Sequence, residues 1–279
     1  MAEPKRILIV DDDPDVHQLL KIALRDTGTT LESAFDGIEG LKRVEEQHWD
    51  LVITDVIMPG LDGMALLERI RAIKPATRVV VMTVASTAEK IVTAIRDHAY
   101  SWFSKPFTTE AVRSMVESAL TTDTRDDIEV LSASPSWLEV RLRCQLETAG
   151  RILHFVREME TGLPVEDRES VGTAFREILN NAIEHGGHND PDTCVTVTYI
   201  RAEHALLYRV RDPGAGFSFD KLRHAAVSNS PGEPLAHAGL REKMGMRPGG
   251  FGILITRALV DEMIYNEKGN EVLLIKYLR

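Results

Sequence analysis

The sequence predicts an α/β protein in two domains, the first built on a doubly wound parallel sheet of five strands. Three observations carry this reading. Over residues 6–120, five short apolar runs alternate with five stretches of helical periodicity, the pattern of a parallel sheet covered on both faces by helices. From about residue 137 the alternation gives way to a strand, two helices, a strand hairpin, a glycine-rich stretch, a helix and a closing strand. A length of 279 residues gives each half enough chain for a core of its own.

In the first half the apolar runs Ile7–Val10, Leu31–Ala34, Leu51–Thr54, Val79–Met82 and Trp102–Phe103 read as strands. The segments 14–27, 36–47, 64–73, 88–97 and 108–120 read as helices. Five such repeats suit a flavodoxin-like sheet, whose site lies at the carboxyl ends of the strands. The chemistry-bearing residues fall there. Asp11, Asp12 and Asp13 follow the first strand, Asp55 follows the third, Thr83 ends the fourth and Lys105 follows the fifth. Carboxylates clustered at adjacent strand ends repel one another unless a cation joins them. Magnesium, held by carboxylates and waters, answers that need. A solvent-open Asp55 beside it can accept a phosphoryl group, with Lys105 and Thr83 holding the oxygens. The plainer alternative is a helix cap, since Asp13-Pro14 can start the first helix unaided.

The motifs V-D-D-D-P, I-T-D-V-I-M-P-G-L-D-G, V-M-T and S-K-P-F resemble the receiver domain of two-component response regulators. That resemblance implies that Asp55 is the phosphoacceptor, charged by an upstream histidine kinase. It implies that Asp11 and Asp12 are the magnesium acids, that the Ile57 carbonyl is a further ligand, and that Thr83 and Trp102 are switch positions. Two departures stand out. Val84 occupies a place where the family usually has a small residue, and Ile57 and Ala85 flank the site where other members carry polar groups.

Residues 121–136 are polar with few bulky apolar positions, so the domains are read as 1–122, a linker at 123–136, and 137–279. Beyond the linker, Val140, Leu142 and Cys144 alternate with Glu139, Arg141 and Arg143 as a half-buried strand. A helix at about 146–160 is broken by Leu163-Pro164, and Asp167–Glu184 forms a long second helix. Val195–Ile200 and Ala205–Arg211 read as a hairpin, 217–248 as a long functional loop, Gly252–Glu262 as a helix and 272–278 as a closing strand.

On the long helix Ile178, Leu179, Ala182 and Ile183 make an apolar stripe, while Glu177 and Asn181, four apart, share another face. An amide oxygen there can ligate a hard cation, and a carboxylate can orient a water or hydroxyl. Asp212, at a strand end, can accept from the exocyclic amine of adenine. Gly214 and Gly216 let backbone pass close to a base. Gly250 and Gly252 open a helix, whose free amides favour phosphate.

The ordered set R-E-I-L-N-N-A-I-E-H-G-G, D-P-G-A-G-F and G-G-F-G resembles the Bergerat-type ATP-binding domain, an α/β sandwich shared by histidine kinases, gyrase and the anti-sigma-factor serine kinases. The run N-N-A-I-E-H-G-G and the tail Tyr265–Val272 are most similar to the anti-sigma branch. The resemblance implies an ATP and magnesium site with Asn181 on the metal and Glu177 as general base. Its implied partners are an antagonist protein carrying the acceptor serine or threonine, and a sigma factor competing for the module. Arg247, in the lid, is either a γ-phosphate ligand or a solvated side chain. His185 reads as a helix-terminal imidazole, and His154 lacks the surroundings of a phosphoacceptor histidine. A non-catalytic, ATP-dependent sequestering module remains the alternative, and a homodimer stays open.

Charge and composition narrow the classes. Residues 1–122 hold 14 basic and 19 acidic side chains and the remainder 19 and 24, so neither half is a basic, nucleic-acid-binding module. Two isolated cysteines, Cys144 and Cys194, suit a reducing compartment. The first apolar run stops at Asp11, which gives no signal-peptide pattern, and no run is long enough to cross a bilayer. A cytoplasmic protein without membrane partners is expected.

Overall fold

The computed structural model describes residues 4–84, 87–121, 127–159, 163–217, 243 and 251–278. The chain divides into two compact units, Met1–Asp126 and Asp127–Arg279.

In the first unit the strands β1 (Arg6–Val10), β2 (Thr30–Ala34), β3 (Leu51–Asp55), β4 (Arg78–Thr83) and β5 (Ser101–Ser104) pair in the order β2-β1-β3-β4-β5, all parallel. This is the doubly wound sheet expected from the alternation. Between them run α1 (Pro14–Ala23), α2 (Gly37–Glu46), α3 (Gly63–Ile73), α4 (Ala88–Arg96) and, last, α5 (Thr109–Thr121). The central strands are apolar at consecutive positions because both faces are covered, and Ile7, Leu8, Ile9, Val10, Val52 and Ile53 are fully buried. Each such side chain contributes about 1.5–3 kcal/mol by leaving water. Helix starts follow local capping: Asp13, Asp36, Asp62 and Thr87 each accept a hydrogen bond from a first-turn amide.

The second unit is a six-stranded antiparallel sheet. Its strands are β6 (Ile128–Ser134), β7 (Trp137–Arg143), β8 (Cys194–Arg201), β9 (Ala205–Arg211), β10 (Glu262–Tyr265) and β11 (Glu271–Tyr277), in the order β10-β11-β9-β8-β7-β6. Cross-strand register lines up Val140, Val197, Val210 and Val272 in one row and Leu138, Tyr199, Tyr208 and Leu274 in the next. All eight are buried, so one face of the sheet carries the core. Helices α6 (Leu146–Met159) and α7 (Val165–Asn181) lie on the core, with Phe175 of α7 5.0 Å from the Tyr208 ring. A third helix, α8 (Gly252–Leu259), packs against α7. Past Asn181 the helix widens into a π turn, Ala182–Gly186, closed by the Gly187 amide on the Ala182 carbonyl at 2.9 Å. Cys144 is buried, and burial pushes its thiol above the usual range, which keeps it inert.

Two boundaries differ from the sequence reading. The stretch 123–136, read as linker, contains β6; its apolar members Ile128 and Val130 pair with Leu142 and Val140, and a bulge between Val130 and Ser132 breaks the alternation that would have marked it. The helix read as Gly252–Glu262 stops at Leu259, because Val260 turns extended and the chain enters β10 at Glu262. Most of the loop 217–248 lies outside the described residues.

Candidate functional site

Parallel pairing brings all five carboxyl ends of the first sheet to one edge, so Asp11, Asp55, Thr83 and Lys105 converge. Asp11 and Asp55 are 1% and 5% exposed, and Thr83 is fully buried. Lys105 Nζ donates to Asp11 Oδ2 at 2.7 Å and lies 2.5 Å from Asp55 Oδ1. The other oxygens are also met: Asp55 Oδ2 accepts from the Ile57 amide at 2.6 Å, and Asp11 Oδ1 from the Asp13 amide at 3.0 Å. Burial pushes the Asp11 carboxyl above its ordinary range, while the Lys105 bond pulls the other way. Burial also works against the Lys105 ammonium, but its bonds to Asp11 and Asp55 outweigh it and hold the lysine above its ordinary range. The Lys105 amide donates to the Thr83 carbonyl at 2.7 Å, which fixes the lysine backbone to the end of β4.

One expectation is corrected here: Asp55, 5% exposed, is not solvent-open. The Lys105 ammonium lies between the two acids. Asp12 is exposed, and among the described residues no three His, Cys, Asp or Glu groups converge as a metal cage. The donors present are still hard oxygens on two buried carboxylates, a set that suits magnesium with waters completing its shell. Trp102 is fully buried, opposite Val81. Ile57 and Val84, 53% and 71% exposed, form an apolar rim; Ala85 lies outside the described residues.

In the second unit three segments meet. Glu177 and Asn181, part-buried on α7, face the first residue of α8. A methyl in place of the Gly252 hydrogen would lie 2.8 Å from Glu177 Oε2 and 3.4 Å from Asn181 Nδ2, so this helix start lies directly against the pair. Gly250, Arg247 and the remainder of that glycine box lie outside the described residues. Asp212 follows β9. Its amide donates to the Asn270 carbonyl at 3.0 Å, its carbonyl accepts from Asn270 Nδ2 at 3.1 Å, and its Oδ1 accepts from the Gly214 amide at 2.8 Å. Burial pushes the Asp212 carboxyl above its ordinary range. Burial, with the nearby Asp212 charge second, pushes Tyr265 up to about 12. Gly216 takes a positive φ of 79° and passes so close to the Lys268 carbonyl that a Cβ there would sit 1.9 Å from it.

Two parts of this site have no role in the sequence reading. Gly186, at the end of the π turn, faces the Asp212 carboxylate so closely that a Cβ would lie 2.3 Å from its Cγ. The turn Asn266–Asn270 props the glycine loop: Asn266 Oδ1 accepts from the Gly269 and Asn270 amides, and Lys268 Nζ donates to the Gly214 carbonyl at 3.1 Å. The Gly-Gly after the helix and the N-x-x-G-N spacing were the available signals.

Residues 7–117 match the model of the response regulator receiver domain, and residues 142–276 that of the histidine kinase-like ATPase domain. The chain is a receiver domain joined to a histidine kinase-like ATPase domain. The transcriptional regulatory protein ZraR of Escherichia coli is 35% identical over 239 residues, which cover 82% of this chain and 52% of that protein. GlrR of Escherichia coli is 30% identical over 149 residues, 52% of this chain and 34% of that one. ZraR of Salmonella typhimurium is 35% identical over 128 residues, 46% of this chain and 29% of that one. This chain therefore spans about half or less of the length of these relatives, which are named as transcriptional regulators and not as anti-sigma kinases. A CheY-like receiver domain from Methanospirillum hungatei superposes with a TM-score of 0.41 at 28% identity, covering 42% of this chain and 94% of that one. Among the described residues, no helix of the receiver or the ATPase domain is long and apolar enough to cross a membrane.

Proposed function

We propose that this receiver–ATPase chain is a response regulator whose output is a protein serine/threonine kinase, controlled by phosphorylation of Asp55 from an upstream histidine kinase. One observation supports the kinase reading above the others: Glu177, Asn181 and the start of α8 at Gly252 meet at one point, while Asp212 sits apart in its own cradle. That separation suits a nucleotide laid with its base at Asp212 and its phosphates at the helix start. Asp212 then accepts from the adenine amine, and the α8 amides face phosphate. Glu177 takes the proton from the acceptor hydroxyl as its oxygen attacks the γ-phosphorus and ADP leaves. Asn181 is the residue to hold magnesium here, as Asp11, Asp12 and Asp55 are in the receiver; the ion, when bound, supplies neutralisation of phosphate charge.

The substrate that fits is a small antagonist protein presenting a serine or threonine, with a sigma factor as the competing partner. A net charge of −10, shared by both halves, argues against direct nucleic-acid contact by this chain, whatever its relatives bind. A sequestering module would need no carboxylate at Glu177. Labelled ATP, offered with candidate antagonist proteins, decides between the two. Transfer to a serine or threonine supports the kinase. ATP-dependent capture without transfer supports the sequestering module.

A further inference from the structure

We infer that His17 is a positioning residue for the phosphorylation site, acting through the backbone of Asp11; the inference rests on the receiver reading of Asp55. His17 lies one turn into α1 and is 3% exposed. Its Nε2 is 2.8 Å from the Asp11 carbonyl oxygen, which can only accept, so the Nε2 tautomer carries the proton and donates. Its Nδ1 is buried with no hydrogen-bond partner, and the ring packs 4.6 Å from that of Phe35.

Sheet pairing explains why a side chain is needed here. The ladder of β1 ends at Val10, opposite Ala34 on one side and Thr54 on the other. Asp11 still donates its amide to the Ala34 carbonyl at 3.2 Å, but its own carbonyl points past the last paired residue. His17 supplies the missing donor. With that bond every polar atom of Asp11 is held: amide by Ala34, carbonyl by His17, Oδ1 by the Asp13 amide and Oδ2 by Lys105. The His17 bond is the one that anchors this strand end to the body of α1, so it sets the direction in which the Asp11 carboxylate leaves the sheet. A leucine would fill the same space without leaving an orphan Nδ1. The imidazole therefore carries a stability penalty that packing alone does not explain.

The test uses the full-length chain, acetyl phosphate as donor, magnesium over a concentration series, and intact-mass measurement of phosphorylation, with urea unfolding in parallel. His17→Leu removes the donor; His17→Gln places an amide N–H near the Nε2 position. The expected result is a phosphorylation rate at limiting magnesium reduced roughly tenfold in His17→Leu, the value of one neutral hydrogen bond, and restored to within about threefold in His17→Gln. In His17→Leu the orphan Nδ1 is removed but the Asp11 carbonyl loses its donor, so the two costs offset and the urea midpoint should stay close to that of the parent. A parent-like rate in His17→Leu overturns the inference. So does an equal loss in both variants, or a loss that tracks a lowered urea midpoint. Label that persists in Asp55→Asn overturns the receiver reading itself, and this control separates the two failures.

Discussion

Gly186→Ala is a sharp test of the nucleotide site, because it displaces the Asp212 acceptor without changing its chemistry. The added methyl would lie 2.3 Å from Asp212 Cγ and 2.4 Å from its Cβ and Oδ1, where ordinary contact begins at 3.4 Å. Asp212 must therefore yield by about 1 Å. It has little freedom to do so, since its amide, carbonyl and Oδ1 are all bonded. Displacing the acceptor leaves the adenine amine unmatched, a loss of about 1–3 kcal/mol, which is roughly 5- to 150-fold in Kd. Calorimetric titration with Mg-ATP measures it, with circular dichroism confirming the fold. Gly150→Ala is the control: no atom lies within 4 Å of its built Cβ, and it stands inside α6, so it should stabilise the fold by about 0.5–1 kcal/mol and leave Kd alone. Asp212→Ala should show the same loss as Gly186→Ala, and the double variant should add little, because both remove one contact. If Gly186→Ala binds ATP within twofold of the parent, the Asp212 cradle is not where adenine sits.

Further outcomes follow from the same geometry. Glu177→Gln keeps the shape of the site but not the base, so phosphotransfer should fall on the order of a hundredfold while ATP still binds; equal turnover would favour sequestration. Lys105→Met leaves Asp11 and Asp55 buried without their cation, and urea unfolding in metal-free buffer should show a loss of about 3 kcal/mol. Millimolar magnesium should restore part of that loss, and an unchanged curve would remove these acids as its ligands. Ile57 and Val84, exposed at the rim, carry no polar group to orient an attacking water, so phosphorylated Asp55 should persist for minutes or longer; decay within seconds in a time course of intact mass counts against this. Burial raises the folded-state pKa of Asp212 above its unfolded value, so ionised Asp212 opposes folding, and that opposition fades as pH falls through the folded pKa. ATP affinity should correspondingly begin to drop at a pH above the ordinary aspartate range, and Asp212→Asn should flatten that profile.

The first domain was legible almost to the residue, because period-2 and period-3.6 patterns alternate cleanly there and acids mark the helix starts. Each expected strand appears, and the acceptor-side residues reach one edge because parallel topology leaves them no other place. What was not legible is that Lys105 bridges Asp11 and Asp55: sequence shows that acids cluster, but not which positive side chain is within reach. The second domain was harder. Edge strand β6 was hidden by its bulge and its polar outer face, and short β10 by the apolar helix before it. Asp212 was found, yet its support was not. Gly186 lies 26 positions away in sequence, and Asn270 contributes through an amide that composition cannot distinguish from a turn residue.

The π turn after Asn181 has a further meaning for comparison between sequences. In spacing terms it behaves as a one-residue insertion that the fold has absorbed by winding wider. Counting four from Asn181 reaches His185, which regular α winding would stack above Asn181. The wider winding rotates His185 off that line, where it is exposed, and delivers Gly186 to the Asp212 carboxylate instead. Deleting one residue between 182 and 185 would rewind the end as α-helix with Gly186 four from Asn181, still in phase to meet Asp212, so an alignment gap in this window marks the loss of the π turn and not a shift of the residues that follow it.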